Sequence, residues 1–336
     1  MSLFKGPVLI RVVIPELLRQ LSHQPHIFEF WPDLSGREPR EVTVSIDNMV
    51  YAGEEEFPDM PHGEIEVLRP YLNEINALWQ QGLAVNPRMS SQLKPVLKRI
   101  SSEGDQLETA LSTYKISYWM KNKLSTLPLD LQRQLANEFC ILNIGAVTVT
   151  SDGYVLLEQR PENVTAGGML LSYPCGYLTR TDKTLEDPVI TQSVGELGFA
   201  VVRDGVLDSR VKSIRSIGMQ RESDEWSTNY VFLIKLGIPL SDVTPTKENK
   251  HIVGWPIDEL VDRSVVTYSP TIKGEHVYGK LVPNTVGMLG LYILAEQGRA
   301  AFNTFIKQIG EEAKRNGYNL HPVQYNAFNC PFTQFS

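Results

Sequence analysis

The sequence predicts an α/β (α+β) protein: a mixed αβ domain over residues 105–318, a smaller α+β domain over 1–104 ahead of it, and a tail at 319–336. Three observations point there. Hairpin and strand signals stand at 144–160 and 229–236. Residues 171–199 read as strand, loop and short helix, stopped by a glycine. Two amphipathic stretches, 285–296 and 300–316, read as closing helices.

Taken in order, residues 8–14 and 42–51 are extended and apolar enough for strands. Acidic residues 54–56 with Phe57-Pro58 and Met60-Pro61 mark a loop. Pro70 at a first helical position opens a helix carrying Leu72, Ile75, Leu78 and Trp79 on one side, ended by Gly82. A second helix is expected around 92–100. Ser101 to Asp105, polar and glycine-containing, reads as a linker between the domains. Residues 113–120 alternate aromatic and polar side chains and suit a packing strand or a short helix. Residues 144–160 read as two strands around a Ser151-Asp152-Gly153 turn. Residues 229–236 form another strand. On the last helix Phe302, Phe305, Ile306 and Ile309 face inward.

The stretch on which the reading turns begins with Leu170 and Leu171 and is broken at Pro174-Cys175-Gly176. After a polar loop, Asp187 is placed to cap a helix beginning at Pro188, and Gly198 to stop it. At about 100° per residue, Ile190, Val194 and Leu197 share the face expected to be buried. Gln192, Gly195 and Glu196 share the other.

This stretch resembles the Nudix box, in which a glycine, spaced glutamates and an Arg-Glu pair precede a final Glu-Glu, any residue, glycine and a bulky apolar residue. Anchored on Gly198 and Phe199, Glu196 takes the place of the last glutamate. Gly195 replaces its neighbour, Gln192 the glutamate of the Arg-Glu pair and Thr191 its arginine. Gly176 matches the opening glycine. Asp182 stands where a glutamate is usual, and the spacer to Thr191 is one residue longer than the pattern. The hairpin at 144–160, with Arg160 at its end, the strand at 229–236 and the Trp255 segment at 248–260 follow the family's order. The resemblance implies an α/β/α sandwich around a mixed sheet.

The resemblance also implies chemistry. Box carboxylates hold Mg²⁺ or Mn²⁺, which neutralises diphosphate charge and lowers the pKa of an attacking water. It assigns catalytic positions to Glu196, Gln192 and Asp182, with Glu196 the metal ligand, and ligand-binding positions to Arg160 and Gly176. Gln192 is neutral and Gly195 has no side chain, so two of three expected charges are missing. Two readings stay open: a Nudix-fold protein that binds a nucleotide- or diphosphate-type ligand or a protein with weak or no hydrolysis, and a divergent metal-dependent hydrolase of a nucleoside-diphosphate-linked substrate. Metal is expected only in the second. Arg180, Lys183, Arg221 and Lys250 are further phosphate-binding candidates. Tyr114, Tyr118, Trp119, Tyr173 and Trp226 are candidates for stacking. Cys175 has no nearby base in sequence to make it a nucleophile.

Composition narrows the partners. The chain has 336 residues, 42% hydrophobic and 21% charged, with net charge −7. A general nucleic-acid binder needs a basic surface, so that class is excluded, while a small phosphorylated ligand held by a few cations is not. Three widely spaced cysteines suit a reducing compartment, and the apolar start is interrupted by Arg11 and Pro15. A cytoplasmic protein without a membrane span is therefore expected. The aromatic-rich tail is expected to pack over the body or over a homodimer partner.

Overall fold

The computed structural model describes residues 10–14, 26–32, 35–51, 59–61, 63, 66–87, 89–101, 103–123, 126–159, 170–172, 174–222, 227–247, 251–260, 271–272, 275–276 and 283–315. Lys250, Trp226, Tyr173, Cys330 and the tail lie outside them, as does the side chain of Ile309.

The chain opens with β1 (Ile10–Ile14), β2 (His26–Pro32) and β3 (Thr43–Tyr51). A short 3-10 turn at Arg69–Tyr71 leads into α1 (Leu72–Val85). Gly82 does not end α1; it lies inside the helix, where the missing side chain admits the Tyr118 ring. Next come β4 (Leu93–Ile100), β5 (Gln106–Thr113), α2 (Tyr114–Lys123) and α3 (Leu129–Glu138). The helix expected at 92–100 is thus a strand. Pro95 explains the correction, because it lacks the N–H a helix interior needs and clashes with the preceding turn. Ser101 to Asp105 is the turn of the β4–β5 hairpin, not a linker, and the sheet runs unbroken across residue 104.

The expected hairpin follows as β6 (Ile141–Val149) and β7 (Tyr154–Gln159). Then come β8 (Leu170–Ser172), β9 (Cys175–Tyr177), α4 (Glu186–Leu197), β10 (Val202–Arg203) and β11 (Val206–Leu207). The chain continues through β12 (Val211–Glu222), β13 (Ser227–Leu236), β14 (His251–Pro256), β15 (Thr271–Ile272) and β16 (Glu275–His276). It closes with α5 (Pro283–Glu296) and α6 (Gly298–Arg315).

One mixed sheet organises the described residues, in the order β1-β2-β12-β13-β6-β4-β5-β3, with β7, β8, β9 and β14 attached along β6 and β7. The pairs β13–β6 and β3–β5 are parallel, and the other pairs in the sheet are antiparallel. Strand residues alternate between two cores, as a period of two dictates. Val147 and Val149 of β6 and Val231 and Leu233 of β13 join Met288, Leu289, Phe302 and Phe305 of α5 and α6. Ile144 and Ala146 of β6 and Phe232 and Ile234 of β13 join Val189 and Leu197 of α4. Helices therefore cover both faces of the mixed sheet, an α/β/α sandwich as the resemblance implies. A third cluster, with Ile75, Ile116, Trp119, Leu135 and Phe139, binds α1, α2 and α3 together. Each such side chain removed from water contributes about 1.5–3 kcal/mol before chain entropy is counted.

Candidate functional site

The box-like stretch folds differently from its sequence reading in three respects. Pro174-Cys175-Gly176 does not simply end β8, because Cys175–Tyr177 forms β9, antiparallel to β6 with Gly176 opposite Ile144. Asp187 does not cap the helix, whose N-cap is Leu185. Its Oδ2 instead accepts the N–H groups of Lys183 and Thr184, at 3.0 and 3.3 Å, and so shapes the loop. The buried face of α4 is Val189, Ser193 and Leu197, not Ile190, Val194 and Leu197: Val194 is 46% exposed and Ile190 half-buried. The contacts of Glu196 and Gln192 with β9 set which side of the helix faces the sheet, and that orientation carries Val194 outward. Gly198 ends the helix as expected, with φ at 80°.

The polar face of α4 packs on β9. Glu196 is buried, and its Oε2 accepts the Cys175 N–H at 2.8 Å. Gln192 lies over Gly176 so closely that a Cβ there would fall 2.3 Å from the Gln192 Cδ. Only glycine lets the amide and the strand approach this far. Two of the expected trio, Glu196 and Gln192, thus form a latch between helix and strand. Ser193 ties α4 to the segment after it, donating to the Ile190 carbonyl and accepting the Val201 N–H, both within 3.2 Å.

Asp182 belongs to the loop before the helix. Its Oδ2 accepts the Thr179 N–H at 2.7 Å and its Oδ1 the Thr179 hydroxyl at 2.9 Å. Burial pushes its pKa above the usual carboxylate range; the charge of Asp187 adds to this, and the Thr179 bonds and the Lys94 charge oppose it. The loop is also clamped by β3: the Val44 N–H donates to the Lys183 carbonyl and the Leu185 N–H to the Val42 carbonyl. Residues before 104 therefore position the box loop directly.

Sequence reasoning missed two residues beside this loop, Lys94 and Tyr177. The Lys94 ammonium stands 4.6 Å from the centre of the Tyr177 ring, within cation–π range. Burial lowers its pKa, and Asp182 opposes the shift. The Tyr114 ring meets Tyr177 edge-on at 6.1 Å, and Trp79 meets Tyr114 at 6.1 Å. Reading 92–100 as a helix hid Lys94, while Tyr177, next to the box glycine, was the available signal. Of the other candidates, Arg180 and Lys183 are exposed on the box loop, Arg221 is buried in β12, and Arg160 lies outside the described residues. Trp119 is a core residue, and Tyr118 packs edge-on against Trp79. Cys140 is buried, and Cys175 is half-buried.

As a metal site this donor set does not fit. A hard divalent cation takes several charged oxygens. Here one carboxylate, already accepting a backbone N–H, lies beside a neutral amide and a glycine. Among the described residues no group of three or more His, Cys, Asp or Glu side chains converges to hold a metal. Nor is any described helix long and apolar enough to cross a membrane.

No family model matches the chain, and no curated protein does. Solved structures similar to it are Nudix and MutT proteins among others. A MutT/nudix family protein from Enterococcus faecalis is 13% identical over 64% of this chain and 92% of its own, with a TM-score of 0.29. A NUDIX hydrolase from Nitrosomonas europaea is 14% identical over 45% and 86%, with a TM-score of 0.27. A Deinococcus radiodurans protein is 16% identical over 48% and 82%, with a TM-score of 0.29. At such identities and scores they say nothing of what this chain binds or does.

Proposed function

We propose that this chain is a Nudix-type protein that has exchanged metal-dependent hydrolysis for binding, and that its ligand is a nucleotide- or diphosphate-type molecule. The observation that carries the reading is the placement of Glu196. The box carboxylate that a hydrolase would turn toward a metal is buried, with an oxygen bonded to the Cys175 N–H. Held there it fastens α4 to β9. Phosphate binding is supported by Lys94 over Tyr177 and by exposed Arg180 and Lys183 on the adjoining loop.

The test is a screen of nucleotide sugars, dinucleotides and nucleoside triphosphates with Mg²⁺ and Mn²⁺, run on the wild type and on Glu196→Gln. The glutamine keeps an oxygen for the Cys175 N–H, so the latch survives while the charge goes. The expected result is no turnover that depends on residue 196. Robust turnover lost in Glu196→Gln would overturn the proposal and establish a divergent hydrolase. Gln192→Glu combined with Gly195→Glu supplies the two missing charges and should raise Mg²⁺ affinity above that of the wild type.

A further inference from the structure

Across the sheet from α4, under the first turn of α5, runs a row of side-chain amides. Gln220 of β12 pairs with Asn229 of β13, Asn229 with Asn143 of β6, and Asn143 with Tyr177 of β9. Residues paired across strands project from the same face. The face is that of α5, because Gln220 Nε2 donates to the Asn284 carbonyl at 3.3 Å and the next β6 residue on that face, Gly145, meets Met288. From Gln220 to Tyr177 the row crosses three strand spacings, roughly 14 Å.

These amides are buried, and each has one atom left unsatisfied. Among the described residues, Gln220 Oε1, Asn143 Oδ1, Asn284 Oδ1 and Asn229 Nδ2 have no hydrogen-bond partner. Such groups are uncommon in a folded interior, and four of them stand around this one row. Exposure rises along the row, from 0% at Gln220 through 1% at Asn229 and 7% at Asn143 to 36% at Tyr177. The row thus reaches the surface at Tyr177, whose ring carries the Lys94 ammonium on one side and meets Tyr114 edge-on.

We propose that Gln220, Asn229 and Asn143, with Asn284 above them, form a base-reading recess. The edge of a nucleobase enters past Tyr177 and bonds the amides, and the phosphates it carries rest at Lys94. Asparagine and glutamine amides offer a donor and an acceptor side by side, the chemistry of a base edge. A neutral polar ring suits a recess with no charged group in the row, and an ammonium at the mouth suits phosphate. The inference rests on the nucleotide reading above and adds the site that selects the base.

The experiment is calorimetric titration of the full chain with ADP, GDP, CDP, UDP and inorganic pyrophosphate, in EDTA. The expected result is a preference of at least about tenfold for one base over another, a floor well below what a site built to hydrogen-bond its substrate can reach. Asn143→Leu and Asn229→Leu should erase that preference without lowering the thermal midpoint, since each removes a buried amide with an unsatisfied atom. Lys94→Met should weaken the four nucleotides alike. Where a leucine variant fails to fold, the serine variant at that position replaces it, with the same expected loss of preference. Equal affinity for all four nucleotides, no binding of any, or a preference unchanged in both asparagine variants would overturn the recess. So would a Lys94→Met chain that binds as the wild type does. The two proposals fail separately. Turnover lost in Glu196→Gln removes the non-hydrolytic reading and leaves base selection standing. Pyrophosphate binding as tightly as the nucleotides removes the recess and leaves a diphosphate-binding protein.

Discussion

Replacing Gly145 with alanine tests how α5 is seated on the central strand. A Cβ at residue 145 would lie 2.3 Å from the Met288 Sδ and 3.4 Å from its Cε. Met288 is fully buried, so its thioether has no solvent to swing into. β6 cannot retreat either, being hydrogen-bonded to β13 and β9. Gly145→Ala is therefore an overpacking change, expected to cost about 2 kcal/mol. Met288→Ala opens a cavity and is expected to cost about 3 kcal/mol alone. In the double variant the new methyl takes part of the vacated volume, so the total should fall short of the sum by about 1–2 kcal/mol. Urea unfolding followed by tryptophan fluorescence measures all three, and a constant m-value certifies that stability alone has changed. Additivity within about 0.3 kcal/mol would refute the contact, and with it the placement of α5 over the amide row.

Val189→Asp should unfold the protein or cost at least about 3 kcal/mol, by burying an unpaired carboxylate under α4, whereas Val194→Asp on the same helix should stay within about 0.5 kcal/mol of the wild type. Thermal melts of the pair decide which stripe faces the core. Glu196→Ala should cost about 2 kcal/mol by leaving the Cys175 N–H unsatisfied, and Glu196→Gln distinctly less; equal losses would mean that charge, not the bond, is what matters. Glu296 joins the end of α5 to Lys235 at 2.6 Å and to Arg215. Burial opposes its charged form, but those two cations prevail and hold its pKa below the usual glutamate range. Its contribution is therefore complete above the unfolded value of about 4.3 and is lost as pH falls through the lowered folded value. Glu296→Gln should cost about 0.5–1 kcal/mol at pH 7, and the gap to the wild type should close in acid unfolding series below about pH 4. A gap that persists there would assign the loss to packing.

Strands β1, β3, β6, β7 and β13 and the terminal helices were legible because their signals are local, whereas β2, β5 and β12 were not read. The Ser151-Asp152-Gly153 turn fixes the hairpin, and the apolar run of β13 has no other use than a buried strand. Gly198 marks the end of α4 for a backbone reason that holds in any context. What failed depended on tertiary partners. The stripe on α4 was misread because a helical wheel shows which residues share a face, not which face a neighbouring strand attracts; Glu196 and Gln192 turn toward β9 and carry Val194 out to solvent. Strand β4 was misread because Lys94, Lys98 and Arg99 mimic an amphipathic helix, although Pro95 argued against one. The amide row was invisible for a related reason. Gln220, Asn229 and Asn143 lie far apart in the chain, and each reads alone as an ordinary polar residue in a strand.

The parallel pairing of β6 with β13 also has a consequence during synthesis. All nine residues of β6 are buried in the finished protein, yet its parallel partner lies roughly 90 residues further along the chain. At about 5–20 residues per second, a ribosome needs roughly 5–20 s to deliver β13 after β6 has emerged. For that interval an apolar strand waits with one hydrogen-bonding edge uncovered, longer than small domains usually take to fold. Chaperone dependence in the cell and aggregation on rapid refolding should both trace to that interval, and a circular permutant that brings β13 next to β6 in sequence should shorten it.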